Sequence, residues 1–229
     1  MIRVFIGYDS AERVAASVLA HSINVHASAP VATAPVMLSQ LGGVFERARN
    51  SLQSTEFSFS RFLVPHLAGY EGWAIFMDCD MLMRADIAGL WKLRDERYAV
   101  QVVKHQHVPK EDVKFLGHTQ TKYDKKNWSS VMLMNCAKCR ALTPEYVNGA
   151  TGLELHQFKW LPDDALIGAL PGRWNHLVGY DAPDANAALA HFTIGGPWFP
   201  EFAQCEFADE WRAAKDVMLS ADGRGVRGG

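Results

Sequence analysis

Two carboxylates, Asp78 and Asp80, stand one residue apart directly after the apolar run Trp73–Met77. The run is short and uninterrupted and follows a Glu-Gly turn signal, which predicts a buried β-strand. Residues two apart in an extended chain point to the same side, so both carboxylates can face one point while Cys79 faces away. Two acids this close repel each other unless they are paired or bind a metal. The spacing therefore predicts a site for a divalent cation, with a solvated turn as the alternative.

A second group of candidate residues, Gly7, Tyr8 and Asp9, follows an apolar segment at residues 2–6. Gly7 allows close approach of a ligand, Tyr8 can stack on a base, and Asp9 can accept a hydrogen bond from a base or a ribose. This strand–turn–helix opening predicts a nucleotide site, and an ordinary turn between strand and helix is the alternative.

The basic residues allow two readings each. Arg61 lies in an aromatic segment at 57–67, predicted to be a helix that Pro65 bends. Its side chain either covers apolar surface with its stem or reaches a phosphate as a planar fork. The polar segment 105–127 is predicted to be a lid or an acceptor loop, with a plain solvated loop as the alternative. Its lysines and histidines are Lys110, Lys114, Lys122, Lys125, Lys126, His105, His107 and His118.

The composition is that of an ordinary globular protein. The chain has 229 residues, 48% hydrophobic and 21% charged, with a formal net charge of -2. This balance gives no argument for nucleic acid or an acidic membrane surface as a partner. We expect one domain over residues 1–221 and a disordered, glycine-rich tail over 222–229.

The cysteines and the apolar runs indicate where the protein works. Four cysteines in a chain of this length form no disulfide framework, and Cys136 and Cys139 make a lone C-x-x-C. Two partly buried thiols are expected there, with a redox or zinc site as the alternative. The first apolar run is too short for a signal peptide and no run reaches transmembrane length, so a cytoplasmic setting is expected.

The predicted strands alternate with helices along the chain. This alternation predicts an α/β fold with a mostly parallel sheet, whose elements would position these residues. A helix over about 11–26 is expected to begin after Ser10 as its N-cap. Further strands are predicted over 36–38, 98–103, 129–135, 174–177 and 188–192, and further helices over 85–93, from Thr143, over 153–158, 162–170 and 208–220.

The order of these motifs resembles the family 8 glycosyltransferases, which are retaining enzymes of the GT-A fold that use UDP-sugars and Mn²⁺. The resemblance covers about residues 2–198. Its carriers are Gly7-Tyr8-Asp9, Ser60-Arg61-Phe62, Asp78-Cys79-Asp80, the segment 129–135, Pro162-Asp163-Asp164 and the run His191 to Trp198.

The resemblance implies roles for individual residues. It implies that Asp78, Asp80 and His191 bind Mn²⁺, or Mg²⁺ in its place. It implies uridine contacts at the opening turn, a place for Arg61 near the nucleotide and the sugar phosphate, and Asp163 or Asp164 facing the reacting carbon. The other residues implied at the UDP-sugar site are Gly7, Tyr8, Asp9, Cys79, Ser129, Ser130, Gly195, Gly196 and Trp198.

Three departures from the family pattern stand out. Gly196 stands where the family has a lysine that meets the diphosphate, and Lys122, Lys125 or Lys126 could replace that lysine. Pro162-Asp163-Asp164 stands in place of Asp-Gln-Asp, which implies a carboxylate rather than an amide near the sugar. Trp128-Ser129-Ser130 in place of Asn-Ala-Gly implies a different sugar pocket.

These residues together predict a metal-assisted hexosyltransferase. It would move a hexose from a UDP-sugar to a saccharide or other hydroxyl acceptor with retention. A catalytically impaired nucleotide-sugar binder of the same fold is one alternative, which Gly196 favours. A metal-dependent phosphohydrolase with an aspartyl nucleophile is another; against it, Leu82 occupies the position of its Thr or Val, and no Gly-Asp-x-x-x-Asp segment follows.

Overall fold

The computed structural model describes residues 1–48, 53–106 and 125–220. Most of the predicted lid, with Lys110, Lys114, Lys122, His107 and His118, lies outside the described residues. The predicted tail at 222–229 and residue 221 lie outside them as well.

A six-stranded sheet lies at the centre, with strand order β2-β1-β3-β6-β5-β7. Strand β1 runs parallel to β2 and β3, and β5 runs parallel to β7, whereas β6 is antiparallel to both of its neighbours. Its strands are β1 (Ile2–Gly7), β2 (Val31–Val36), β3 (Trp73–Met77), β5 (Val100–Val102), β6 (Val131–Asn135) and β7 (Ile167–Ala169).

A second sheet of three strands, in the order β4-β9-β8, adjoins the first. These strands are β4 (Met81–Met83), β8 (His176–Leu177) and β9 (Leu189–His191). The chain passes from β3 to β4 through residues 78–80, so the predicted Asp-x-Asp connects the two sheets.

The helices pack around these sheets. They are α1 (Arg13–His26), α2 (Val64–Leu67), α3 (Ile87–Trp91), α4 (Pro144–Gly149), α5 (Gly152–His156) and α6 (Ala208–Leu219). Helix α1 packs against both β4 and α6. Among the described residues, no helix combines the length and the apolar character that crossing a membrane requires.

The core explains the apolar runs of the sequence. All five residues of β3 and all five of β6 are buried, because both strands lie inside the large sheet with packed layers on each face. Continuous rather than alternating apolar sequence is typical of such strands. The expected α/β class with a mostly parallel central sheet is confirmed.

The helix predicted over 162–170 is wrong. Asp163 caps only a single 3-10 turn, Asp164–Leu166, and the chain then enters edge strand β7 beside β5. Gly168 explains the change: a Cβ there would lie 2.4 Å from the Tyr98 ring, so the backbone packs closely against its neighbours. Pairing with β5 therefore overrides the local helix-start signal.

Other boundaries also differ from the prediction. The strand predicted over 174–177 is only His176–Leu177, because the 3-10 turn Gly172–Asn175 precedes it. The second strand is Val31–Val36 rather than 36–38, because it follows the register of β1. The segment at 57–67 forms a 3-10 turn, Ser60–Leu63, before α2, rather than one helix. Asp9, not Ser10, provides the first cap: its carboxylate accepts from the Ala11 N–H.

The C-x-x-C pair follows β6 and is completely buried. Burial raises the pKa of the Cys136 thiol to about 11 and raises that of Cys139 further. Both thiols donate to backbone carbonyl oxygens, Cys136 to Met134 and Cys139 to Ala99. The pair is therefore protonated and enclosed in the core at neutral pH.

Candidate metal centre

The side chains of Asp78, Asp80 and His191 converge at the junction of the two sheets. One potential ligand atom from each lies within 4.8 Å of the others. Asp78 and Asp80 follow β3, and His191 ends β9. Antiparallel pairing of β4 with β9 places Met81 opposite His191, which brings the histidine beside the acids. These three side chains could hold a metal ion.

Asp78 is held from two sides. Its backbone N–H donates to the Ser130 carbonyl at 2.9 Å, which fixes the end of β3 to the start of β6. Its Oδ1 lies 2.8 Å from Nη1 of Arg61 in an ion pair. That guanidinium is buried and also donates to the carbonyls of Ser129 (2.9 Å) and Phe57 (3.4 Å). Arg61 therefore fixes the Asp78 carboxylate.

His191 is buried between Asp80 and Asn175. Its Nε2 lies 3.4 Å from Oδ1 of Asp80, and its Nδ1 lies 2.9 Å from Oδ1 of Asn175. Asn175 is fully buried at the end of a 3-10 turn that leads into β8. No sequence motif marks Asn175, because it is a single asparagine between Trp174 and His176.

Glu12 is a third carboxylate beside the triad, and sequence reasoning missed it. Burial, followed by the charges of Asp80 and Asp9, raises the pKa of the Glu12 carboxyl to about 8. The Cys79 thiol donates to it, with Sγ 3.6 Å from Oε2. Cys79, implied at the donor site, thus directs its thiol toward Glu12. An acid in the first turn after the opening loop was the signal available for Glu12.

The opening turn lies beside this cluster. Gly7 packs so closely that an added Cβ would lie 2.4 Å from the Phe57 ring. Tyr8 is partly buried against the core. Asp9 is buried, and its two carboxylate oxygens accept from the backbone N–H groups of Ala11 (2.9 Å) and Glu56 (3.0 Å). The Asp9 carboxylate therefore organises the turn itself.

Ser129 and Ser130 lie in a 3-10 turn, Trp128–Ser130, that precedes β6. The Ser129 hydroxyl lies 2.8 Å from Nδ1 of His156. The Ser130 hydroxyl donates to the Asn127 carbonyl at 2.7 Å and accepts from Asn175 Nδ2 at 2.8 Å. Both serines thus lie against residues that support the triad.

The loop after β9 contains Gly195, Gly196 and Trp198. Gly195 has φ +135°, a conformation that favours glycine, and an added Cβ would lie 2.3 Å from the Phe202 ring. At Gly196 an added Cβ would lie 2.1 Å from the Trp198 ring. The Trp198 ring therefore fills the space into which the family lysine would extend.

Asp163 and Asp164 are exposed and stand outside the group of potential metal ligands found in the described part of the chain. The Asp163 carboxylate accepts from the Ala165 N–H at 2.8 Å. Asp164 forms an ion pair with Lys125, whose Nζ lies 2.6 Å from Oδ1, and this contact lowers the pKa of the Asp164 carboxyl. Lys125 is thereby engaged, while Lys126 is buried.

Solved structures with a similar fold include glycosyltransferases. The structure of the apo WbbM bifunctional glycosyltransferase aligns over 93% of this chain at a TM-score of 0.64 and 14% identity, and the alignment covers 49% of WbbM. Apo GlyE of Streptococcus pneumoniae TIGR4 aligns over 95% of the chain (TM-score 0.62, 15% identity) and 62% of its own length. The chain therefore spans about half of WbbM and less than two thirds of GlyE.

A third structure matches along its whole length. Galactosyltransferase LgtC, in complex with donor and acceptor sugar analogs, aligns over 99% of this chain and 100% of its own, with a TM-score of 0.59 and 13% identity. Because all three identities are low, these likenesses establish the fold. The chain has the GT-A glycosyltransferase fold.

Sequence comparison gives a closer relative. No protein-family model matches the sequence. Protein CDI of Arabidopsis thaliana is 48% identical over 218 residues, which cover 91% of this chain and 84% of that protein. At this identity and coverage, the chain belongs to the Protein CDI family.

Proposed function

We propose that the protein is a family 8-like glycosyltransferase that moves a hexose from a UDP-sugar to a saccharide or other hydroxyl acceptor, with retention and with the aid of a divalent cation. One observation carries the proposal: Asp78, Asp80 and His191 converge within 4.8 Å where the two sheets meet. The GT-A fold, shared with solved glycosyltransferases, provides its context.

The triad has the chemistry of a cation site. Two carboxylates and one imidazole combine oxygen and nitrogen ligands, a set that suits Mn²⁺ and, with more water, Mg²⁺. The surroundings of the triad are acidic as well, because Glu12 lies close enough for Asp80 to raise its pKa. A divalent ion would reduce this repulsion, so the residues fit the group that the fold implies.

When bound, such a cation would neutralise negative charge on the departing diphosphate. The chain's own residues position the reactants. Arg61 holds Asp78 in place, and Asp9 organises the turn that we propose receives the uridine. Ser129 and Ser130 stand next to the triad, where the donor sugar is proposed to lie. Without an assigned nucleophile, the leaving phosphate is the proposed base for the acceptor hydroxyl.

The diphosphate needs a positively charged side chain from elsewhere in the protein. Position 196 cannot provide the family lysine, because the Trp198 ring fills the space beside this glycine. Lys125 is engaged by Asp164 and by the Gln157 carbonyl. Lys122, Lys125 or Lys126 is proposed for this role, and Lys126 is buried four residues before Ser130. Asp163 and Asp164 remain the proposed acidic groups nearest the sugar, and donor binding would then separate Asp164 from Lys125.

Calorimetric titration with UDP tests this proposal. UDP should bind with Mn²⁺ present, more weakly with Mg²⁺, and fail to bind after chelation. Asp80→Ala should abolish binding, whereas Asp209→Ala, at a fully exposed carboxylate of α6, should leave it unchanged. Binding that does not depend on the metal, or no binding by the wild-type protein, would refute the proposal.

A second candidate function is a nucleotide-sugar binder of the same fold that has lost its transferase activity. Gly196 favours this alternative, since the position of the diphosphate lysine is filled by an aromatic ring. Incubating the protein with a panel of UDP-sugars and Mn²⁺ separates the two. A transferase should hydrolyse one of them slowly when no acceptor is present, whereas a binder should hydrolyse none.

A further inference from the structure

We propose that Asn175 is a positioning residue that fixes His191 in the tautomer able to bind a metal. This inference rests on the proposed metal site. Asn175 is fully buried, and each end of its amide contacts a different part of the centre. Metal-binding histidines commonly need such a partner on the second ring nitrogen.

The orientation of the Asn175 amide follows from its neighbours. One end of the amide lies 3.3 Å from the Asn127 carbonyl oxygen and 2.8 Å from the Ser130 hydroxyl. A backbone carbonyl only accepts, and the Ser130 proton is already donated to that same carbonyl. Both neighbours therefore require a donor, so the NH₂ group of Asn175 faces them and its oxygen faces His191.

This orientation assigns the proton on His191. The Asn175 oxygen, 2.9 Å from Nδ1, only accepts, so Nδ1 of the neutral imidazole carries the hydrogen. Nε2 is then left with its lone pair, and it faces Asp80 Oδ1 at 3.4 Å. Because Nε2 and Oδ1 are then both acceptors, a cation could bind both of them.

Ser130 extends this arrangement to the second ligand. Its hydroxyl oxygen accepts a hydrogen bond from the Asn175 NH₂ group, and its carbonyl oxygen accepts one from the backbone N–H of Asp78. Asp78 after β3 and His191 at the end of β9 are thus aligned through one serine at the start of β6. Asn175 thus sets both the tautomer of His191 and its placement relative to Asp78.

Two variants of Asn175 test the inference. Asn175→Leu removes the acceptor for Nδ1–H, and we expect Mn²⁺ affinity to fall about 10- to 100-fold. Asn175→Asp keeps an oxygen facing Nδ1 but loses the NH₂ donor to Ser130 and the Asn127 carbonyl, so we expect affinity to fall less than in Asn175→Leu. Binding is measured by the paramagnetic resonance signal of free Mn²⁺, and thermal unfolding checks that each variant is folded.

Nitrogen NMR of the metal-free protein gives a readout that no general packing role would produce. In mildly alkaline buffer, the wild type should show protonated Nδ1 and unprotonated Nε2 on His191. Asn175→Asp should keep this pattern, whereas Asn175→Leu should shift it toward Nε2–H.

The outcomes separate this inference from the proposed function. Wild-type Mn²⁺ binding that His191→Ala abolishes but Asn175→Leu leaves intact would overturn the role of Asn175 and keep the metal site. A wild-type tautomer with Nε2–H would also overturn it. If the wild type binds no Mn²⁺ at all, the proposed function fails, while the tautomer spectrum still decides what Asn175 does.

Discussion

At the scale of single residues, Gly196 separates this protein from the family it resembles. The Trp198 ring packs directly on the Gly196 backbone and contacts Phe192 and Trp211 on its other sides. A side chain at position 196 would have to displace that ring from its aromatic neighbours. The glycine at position 196 is therefore required by the packing of this loop.

We predict that Gly196→Lys destabilises the fold and does not supply the missing phosphate contact. Overpacking of this kind costs about 1–3 kcal/mol, and Gly196→Ala should show the same direction. Chemical denaturation provides the measurement. Gly42→Ala is the control, because a Cβ at Gly42 meets nothing within 4 Å. A fully stable Gly196→Lys variant with tighter UDP binding would contradict the prediction.

Glu12 gives the metal-free protein a pH dependence. Because burial and neighbouring acids raise its pKa from 4.5 to about 8, the folded state holds this proton more tightly than the unfolded chain does. The resulting stabilisation is present below about pH 4.5 and is lost as the pH rises through about 8. We expect a loss on the order of a few kcal/mol over this range, which Glu12→Gln should abolish.

Urea unfolding with a chelator present, at about pH 5 and about pH 9, measures this effect. Glu201→Gln, which changes an exposed carboxyl in the turn Pro200–Phe202, is the matched control and should retain the wild-type profile. Identical profiles for the wild type and Glu12→Gln would show that this carboxyl does not control the dependence. Adding Mn²⁺ should flatten the wild-type profile, because a cation favours ionised Glu12.

At the scale of elements, the 3-10 turn Ser60–Leu63 carries Arg61 to the junction of β3 and β6. Its guanidinium lies over the rings of Phe57 and Phe76 and bonds to Asp78 and the Ser129 carbonyl. One arginine thus joins three chain segments around one metal ligand. The sequence gives Arg61 two possible roles, stem packing or phosphate binding, and the ion pair with Asp78 adds a third.

Arg61→Met should destabilise the protein without any ligand present. The buried Asp78 carboxylate would lose its ion-pair partner, and such losses cost about 3–5 kcal/mol. Chemical denaturation of the metal-free protein measures the loss. Arg97→Met is the control, since it removes an exposed ion pair with Asp95 and should change little. Unchanged stability combined with weaker UDP binding would instead indicate that Arg61 serves the phosphate.

The sequence predicts what local pattern encodes, namely the buried strand before Asp78, the convergence of its two acids and the α/β class. It cannot supply Asn175 or Glu12, because their importance depends on contacts between segments distant in the chain. The helix predicted after Asp163 fails for a similar reason. Its cap is present as expected, but strand pairing with β5 decides the structure that follows. Local capping adds about 1 kcal/mol, which is less than tertiary packing provides.

At the scale of the whole molecule, the triad spans both sheets. Asp78 and Asp80 leave the six-stranded sheet, whereas His191 belongs to the three-stranded sheet. A cation at this point would therefore connect two units that otherwise join through packing and backbone bonds. Metal binding at the triad should then raise the stability of the whole fold.

We predict that Mn²⁺ raises the free energy of unfolding by about 2.7 kcal/mol at 100 times its dissociation constant. Thermal unfolding with Mn²⁺ and then with excess chelator measures the change. Asp80→Ala and His191→Ala should each abolish most of the increase, whereas Asp209→Ala should retain it. An equal increase in all four proteins would place the cation elsewhere.

Chemical labelling of the buried C-x-x-C after β6 can measure how readily the fold opens. Cys136 and Cys139 are buried and hold their protons, so a thiol reagent reaches them as thiolates only after the fold opens around them. Cys205, which is partly exposed, serves as an internal reference in the same chain. The labelling rate of the buried pair thus reports the free energy of opening and can be followed without introducing any probe.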